Sequence, residues 1–164
     1  MNEKNMVSIR KYRRNVGICG VGLIAFSFWS IIKIIIMMVM GDDGFKDIMG
    51  IEDAVWEESK YIFLAAVLII YMIFFMLNLF VGIGAIHFSN GNIGGRIFII
   101  MAVIDFLVQV FGLPTYFMPE VYETYPLTQT ASIVIDMTFC FILFDLIYSS
   151  FKTVRLTKRL DEGI

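Results

Sequence analysis

Charged residues are scarce in this sequence, and their scarcity indicates the class of protein. Asp, Glu, Lys and Arg make up 17% of the 164 residues, whereas hydrophobic residues make up 59%. Soluble domains contain about 25% charged and about 45–50% apolar residues. The composition therefore excludes a soluble enzyme, a nucleic-acid-binding protein and a disordered tail as the main interpretation. It predicts an integral membrane protein.

Residues that hold metals or carry out redox chemistry are also few. Cys19 and Cys140 are the only cysteines, both lie within apolar runs, and His87 is the only histidine. A thiol redox centre or a zinc site therefore lacks the ligands that it requires. We recognise no pairing of a nucleophile with a base and no phosphate-binding loop. The sequence predicts no enzyme activity, no catalytic residue, no metal and no cofactor.

Four long apolar runs are present, and each is a candidate membrane span. The hydrocarbon core of a bilayer is about 30 Å thick, which takes roughly 20 helical residues to cross. The third run reaches that length only if its helix continues past Pro114 towards Met118 instead of ending at Gly112. We expect an all-α integral membrane protein, a four-transmembrane-helix antiparallel (up-down-up-down) bundle that forms one domain. The expected spans are 16–40, 61–88, 97–118 and 131–151, with outer loops at 41–60 and 119–130.

Two further features of the sequence concern the first span and the segment that follows it. The first run has 25 residues, which is too long for the apolar part of a cleaved signal peptide. Apolar residues also recur near helical spacing within 45–56, which indicates a short interfacial helix or an outward extension of the second span.

Basic residues are concentrated on one side of the expected topology. Ten Lys and Arg residues lie in the two tails and in the turn at 89–96, whereas Lys46 and Lys60 are the only two in the outer loops. The positive-inside rule therefore predicts that both termini are cytoplasmic. The excess of 26 isoleucines over 7 alanines is typical of an AT-rich genome, so we expect a bacterial cytoplasmic membrane. Anionic lipid headgroups suit the basic tails at 10–14 and 152–159 and require no nucleic acid.

Small residues indicate where helices approach each other closely. Glycines and Ala85 are concentrated in the inner halves of the first two runs, although no strict GxxxG motif occurs. We expect these two spans to pack tightly near the cytoplasm. The residues concerned are Gly17, Gly20, Gly22, Gly82, Gly84 and Ala85.

Ionisable residues within the runs are costly, at about 2.5–3.5 kcal/mol each near the centre of a bilayer. Lys33 and Asp136 lie roughly 8–10 Å from the outer ends of their spans, from a rise of about 1.5 Å per residue. Opposite charges at matching depth predict a pair between them. Each side chain extending separately to the interface is the alternative.

A second polar group lies nearer the cytoplasm. Asp105 and Asp145 have similar depths, and Asn78, Gln109 and Thr138 lie within the same set of spans. Two neighbouring carboxylates disfavour each other's charged form, so we expect one to be protonated at neutral pH. The group is a candidate proton or cation site with neutral oxygen ligands. Hydrogen bonding that simply joins the helices is the alternative.

Three classes of function follow from these features. The first is a non-enzymatic accessory, regulatory or immunity-type membrane protein that acts through a membrane protein partner or as a homo-oligomer. The second is a small oligomeric proton- or cation-coupled transporter or channel that uses the carboxylates within the spans. The third is a lipid-modifying enzyme, which the absence of histidine and metal motifs disfavours. Short loops and small size favour the first class.

Overall fold

The computed structural model describes residues 2–49, 53–92, 96–114 and 126–161, and all regular structure in these ranges is helical. Four helices follow one another along the chain: α1 (Asn2–Met49), α2 (Asp53–Ser89), α3 (Ile97–Gly112) and α4 (Pro126–Asp161). Within these ranges, the predicted all-α class and the four predicted helices are confirmed.

Proline accounts for two of the helix boundaries. The regular part of α3 ends at Gly112, and a short 3₁₀ turn at 113–114 contains Pro114. Proline has no backbone N–H, and its ring clashes with the carbonyl four residues earlier, so an α-helix does not pass through it undistorted. The expected extension of this helix to Met118 lies outside the described residues. Pro126 begins α4, where a missing N–H costs nothing because the first turn has no partner for it.

Three of the helices are longer than the apolar runs within them. α1 has 48 residues, α2 has 37 and α4 has 36, and each is longer than the roughly 20 residues that a bilayer requires. α1 and α2 extend into the segment 41–60, which we expected to be a loop. The buried Trp56 belongs to α2, so residues 53–60 form the outward extension of this helix that was one of our two alternatives.

Pairs of contacting residues show that α1 runs antiparallel to α2 and to α4. Along α1 and α2, Phe28 packs on Phe75 with ring centroids 5.9 Å apart, and Gly20 lies against Gly82. A higher number on α1 therefore meets a lower number on α2. The same holds for α1 and α4, where Phe26 packs on Phe139 at 5.9 Å and Asn15 contacts Asp145.

The main helix contacts are α1 with α2, α2 with α3, α3 with α4, and α4 with α1. They close a ring around a common core, as in a four-helix bundle. Each helix contributes buried residues spaced three or four apart, which lie on one helix face. The largest fully buried apolar side chains among the described residues are Val16, Leu23, Val81, Phe88, Phe98, Leu143 and Leu146.

Glycines allow α1 and α2 to approach closely, as predicted. A Cβ on Gly20 would lie 2.8 Å from the carbonyl oxygen of Gly82 and 2.9 Å from the Cβ of Ala85. Two glycines of the predicted set face other helices instead, since Gly22 faces Ile142 of α4 and Gly84 faces Phe98 of α3. The tight packing of α1 on α2 is confirmed for Gly17, Gly20, Gly82 and Ala85.

Two segments of the described chain are long and apolar enough to cross a membrane, by length and composition. They are Ser59–Ser89 and Ile133–Leu160, and the apolar helix Ile97–Gly112 is shorter. Only 6% of the apolar window in Ser59–Ser89 is buried within the protein. The outer face of α2 is therefore apolar and is not covered by the part of the chain that the structure describes.

Candidate functional site: a buried polar level between the helices

Three polar side chains lie within the apolar core. Ser27 of α1, Asn78 of α2 and Asp105 of α3 are 0%, 3% and 0% exposed. Each occupies the same helix face as its buried apolar neighbours, for example Leu23 on α1 and Ala102 on α3. Their helices therefore direct these residues towards the common core and not towards the surroundings.

The packing register places Asn78 and Asp105 at the same level. A Cβ on Gly84 would lie 2.6 Å from the Cβ of Phe98, so these two positions are opposite each other on α2 and α3. Because the helices are antiparallel, six residues back from Gly84 is Asn78, and six residues on from Phe98 is Ile104. Asp105 is thus offset from Asn78 by about one residue, or about 1.5 Å along the helix axis.

Ser27 lies near this level on α1. Its neighbour Phe28 packs on Phe75, three residues before Asn78. The Ser27 hydroxyl donates to the carbonyl oxygen of Ile24 at 2.6 Å. Its proton is therefore already used within its own helix, and its oxygen can act only as an acceptor.

In the described part of the chain, the amide and carboxyl oxygens at this level make no hydrogen bond of standard geometry, although Gln109 is close to Asp105. Among the described residues, Oδ1 of Asn78 and both Oδ1 and Oδ2 of Asp105 are buried and unpaired. Buried polar atoms in native proteins are nearly always hydrogen-bonded, and an unpaired one costs about 1–3 kcal/mol. The level therefore presents three acceptor oxygens that a proton or a cation would satisfy.

Asp145 belongs to a different arrangement, between α1 and α4. The Nδ2 of Asn15 donates to Asp145 Oδ2 at 2.8 Å and to Ser149 Oγ at 2.9 Å. The Ser149 hydroxyl in turn lies 3.4 Å from Asp145 Oδ1, and Cys19 Sγ lies 3.7 Å from Oδ2. Asp145 thus faces α1, and no hydrogen bond joins it to Asp105.

Among the remaining polar residues of the predicted set, Gln109 lies next to Asp105, and its side chain interacts with that carboxyl group. Thr138 is exposed, and its hydroxyl donates within α4 to the carbonyl oxygen of Val134 at 2.7 Å. Gln109 lies one turn beyond Asp105 and is half-buried, as is Asp136 on α4. The side chain of Lys33 lies outside the described residues, so its pairing with Asp136 stays a prediction.

Two residues of these arrangements were not identified from the sequence. Ser27 lies four residues after Leu23, on the buried face of α1, and this spacing was the available signal. Asn15 immediately precedes the first apolar run, where a polar residue is ordinary. Only the contact between α1 and α4 distinguishes it.

The Asn15–Asp145 contact makes a measurable prediction. In a double-mutant cycle with Asn15→Ala and Asp145→Ala, we expect a coupling free energy of about 0.5–1.5 kcal/mol, because the contact is a hydrogen bond to a carboxylate between two helices. The measurement is unfolding in detergent. Asn15→Ala with Thr138→Ala is the control pair and is expected to show coupling near zero. Equal coupling in both cycles would contradict the contact.

Among the described residues, no group of three His, Cys, Asp or Glu side chains is placed to hold a metal ion. No family model, no curated protein and no solved structure matches the chain. The fold and the site therefore define the class as an all-α protein of four helices with a buried polar level formed by Ser27, Asn78 and Asp105.

Proposed function

We propose that the chain is a multi-pass integral membrane protein that crosses the bilayer four times. All four helices carry large apolar side chains on their outer faces, including Phe28, Ile73, Phe111 and Phe141. The exposed fraction of Phe111 is 78% and that of Phe141 is 71%. Exposed apolar surface in water is unfavourable by about 25 cal/mol per Å², and soluble monomers rarely expose large contiguous apolar patches. A lipid environment removes this cost.

The positions of basic residues support an orientation with both termini cytoplasmic. The N-terminal part of α1 packs on the C-terminal part of α4 through Tyr12 and Tyr148, whose ring centroids are 6.3 Å apart. Gly17 lies against Ser89 at the end of α2, and Arg13 lies beside Gly91 in the following turn. The basic ends of α1 and α4 and the turn after α2 therefore lie at one end of the molecule. The positive-inside rule assigns that end to the cytoplasm.

Cysteine labelling of intact cells tests this orientation. In a background with Cys19→Ser and Cys140→Ser, we expect a membrane-impermeant maleimide to label Glu123→Cys directly. We expect Asn92→Cys to be labelled only after the cells are made permeable. The reverse pattern, or recovery of the protein in a detergent-free supernatant, would contradict the proposal.

We further propose that the protein is a non-enzymatic accessory, regulatory or immunity-type protein that acts through a membrane partner or through self-association. The observation that supports this role is a two-helix projection, formed by residues 2–15 of α1 and 150–161 of α4. Ile9, Ser150 and Thr153 are buried in it, and the Lys152 ammonium lies 5.6 Å from the centroid of the Tyr148 ring. These basic segments are therefore packed helices, and they present an ordered charged surface to which a partner can bind.

Co-purification from native membranes in mild detergent tests the partner role. We expect a stoichiometric partner, or a defined oligomer, with the natural chain and its loss with Arg155→Glu combined with Arg159→Glu. Asp105→Asn is the control, because it alters the core and leaves the projection unchanged. A lone monomer, or a partner that the charge reversal does not release, would contradict the role of this surface.

A second candidate function is proton or cation transport through the buried polar level. The unpaired oxygens of Asn78 and Asp105 favour it, because intramembrane carboxylates commonly mark ion pathways. In liposomes that contain a pH-sensitive dye, we expect Asp105→Asn to abolish flux and Asp145→Asn to retain it. Absence of flux with the natural chain under proton and cation gradients would reject this candidate.

A further inference from the structure

A cleft of about 660 Å³ lies between α1 and α2 at the basic end of the molecule. Three arginines of α1 line one part of it, and apolar side chains of both helices line the other. The residues used in the argument are Arg10, Arg13, Arg14, Ile18, Val21 and Ile86.

The lining residues of α1 change in character along one helix face. Residues 10, 13, 14, 17, 18 and 21 are spaced three, four or one apart, so they follow one another on the same side of the helix. The arginines come first, Gly17 follows, and Ile18 and Val21 come last. Under the proposed orientation, this order runs from the cytoplasm towards the centre of the bilayer.

The polar part of the cleft is suited to a phosphate group. The Nε of Arg13 is buried and has no hydrogen-bond partner among the described residues. Its Nη1 lies 3.8 Å from the position of a Cβ on Gly91, so the guanidinium reaches the turn after α2. Three guanidinium groups within about one turn repel each other, and a bound anion relieves that repulsion. The planar fork of arginine also matches phosphate oxygens in pairs.

The apolar part of the cleft is suited to a hydrocarbon chain. Ile18 and Val21 are each 59% exposed, and they continue the cleft away from the arginines. Gly17 has no side chain to separate the two parts. A soluble phosphate compound would use the arginines alone, whereas a phospholipid uses both parts.

We infer that this cleft binds one anionic phospholipid of the cytoplasmic leaflet, with its phosphate held by Arg10, Arg13 and Arg14 and an acyl chain lying along Ile18 and Val21. The inference rests on the proposed membrane function. It differs from general attraction of basic tails to the membrane, because the basic residues of α4 (Lys152, Arg155, Lys158 and Arg159) do not line the cleft.

Native mass spectrometry of the full chain tests the site with phosphatidylglycerol as the anionic probe and phosphatidylcholine as the neutral one. The cleft variant combines Arg10→Gln, Arg13→Gln and Arg14→Gln. The control combines Lys152→Gln, Arg155→Gln and Lys158→Gln, which removes the same charge from α4. We expect the fraction of protein that retains phosphatidylglycerol to fall about tenfold in the cleft variant and less than about twofold in the control. The reason is that paired arginine–phosphate bonds are strong.

A third variant tests the geometry without changing the charge. Arg13→Lys keeps the cation and removes the planar fork, and we expect about threefold weaker retention of phosphatidylglycerol. Circular dichroism shows whether the triple cleft variant keeps its helices. If it does not fold, Arg13→Lys alone tests whether the cleft binds the lipid phosphate.

Three results would overturn the inference. The first is equal loss in the cleft and control variants, which would indicate general charge attraction. The second is unchanged binding in the cleft variant or in Arg13→Lys. The third is displacement of the lipid by inorganic phosphate at millimolar concentration, which would indicate a free-anion site. Lipid binding in detergent does not depend on how the protein is oriented in the membrane. Labelling of Asn92→Cys from outside the cell would therefore reject the proposed topology without deciding whether the cleft binds lipid.

Discussion

Gly20→Leu is expected to separate α1 from α2 and to prevent stable folding. The added Cβ would lie 2.8 Å from the carbonyl oxygen of Gly82. This oxygen belongs to the backbone, so it cannot move aside by a change of rotamer as a side chain can. Gly82 has the reciprocal constraint, with Ile24 Cγ1 at 2.7 Å and the carbonyl oxygen of Gly20 at 2.8 Å. Overpacking of a close contact costs about 1–3 kcal/mol, and a leucine at this crossing exceeds the upper value.

Thermal unfolding in detergent measures this effect. Gly20→Ala is expected to lower the free energy of unfolding by about 1–3 kcal/mol, and Gly20→Leu to lower it further. Gly22→Ala is the matched control on the same helix, because its Cβ would make an ordinary contact of 3.7 Å with Ile142. A change within about 0.5 kcal/mol is expected there. Similar losses for Gly20→Ala and Gly22→Ala would show that the contact with Gly82 is not limiting.

Asp105→Leu is expected to stabilise the protein, although it removes a fully buried core residue. Both carboxyl oxygens of Asp105 are buried and make no hydrogen bond of standard geometry among the described residues, with the neutral Gln109 side chain beside them. An unpaired polar group in an apolar core is unfavourable, and leucine has a similar shape without that penalty. We expect the free energy of unfolding to rise by about 1–3 kcal/mol. If the polar level binds a proton or a cation, Asp105→Leu is expected to reduce transport activity while it raises stability.

The same unfolding measurement includes two controls. Asp105→Asn keeps the polarity and is expected to change stability little. Ile104→Leu alters the adjacent, exposed position on α3 and is expected to be neutral within about 0.5 kcal/mol. If Asp105→Leu lowers stability, the carboxyl group makes a stabilising contact. The polar level would then hold the helices together and would not be a binding site for a proton or a cation.

The sequence alone predicted the helices because local features decide them. Apolar runs of roughly 20 residues predict helices of that length wherever they occur, and Pro114 and Pro126 mark two boundaries through their missing N–H groups. The lengths were less accurate, since α1 and α2 continue into 41–60 through mixed polar sequence. The helical spacing of apolar residues within 45–56 indicated two alternatives, and packing decides between them, as the buried Trp56 of α2 illustrates.

The polar residues show where sequence reasoning ends. Depth along a helix follows from counting residues, and the register of α2 on α3 places Asp105 and Asn78 at one level as that count indicated. Asp145 lies beside Asn15 and Cys19 instead, nearer the basic end of α1 than Ser27 is. The rotation of each helix about its axis is not local, because it depends on which face meets which neighbour. Asp145 therefore faces Asn15 across the α1–α4 contact, while Asp105 is fully buried at the level of Asn78.

The sequence by itself determined the all-α class, the number of helices and the clustering of basic residues in particular segments. These properties depend on composition and on spacing within one segment. Only the tertiary structure decided which of the predicted glycines meet, with Gly20 against Gly82, together with the buried level of Ser27, Asn78 and Asp105 and the cleft beside Arg13. Each of these brings together residues from different helices, and the helix rotations and registers that do so are set by side-chain packing over the whole core.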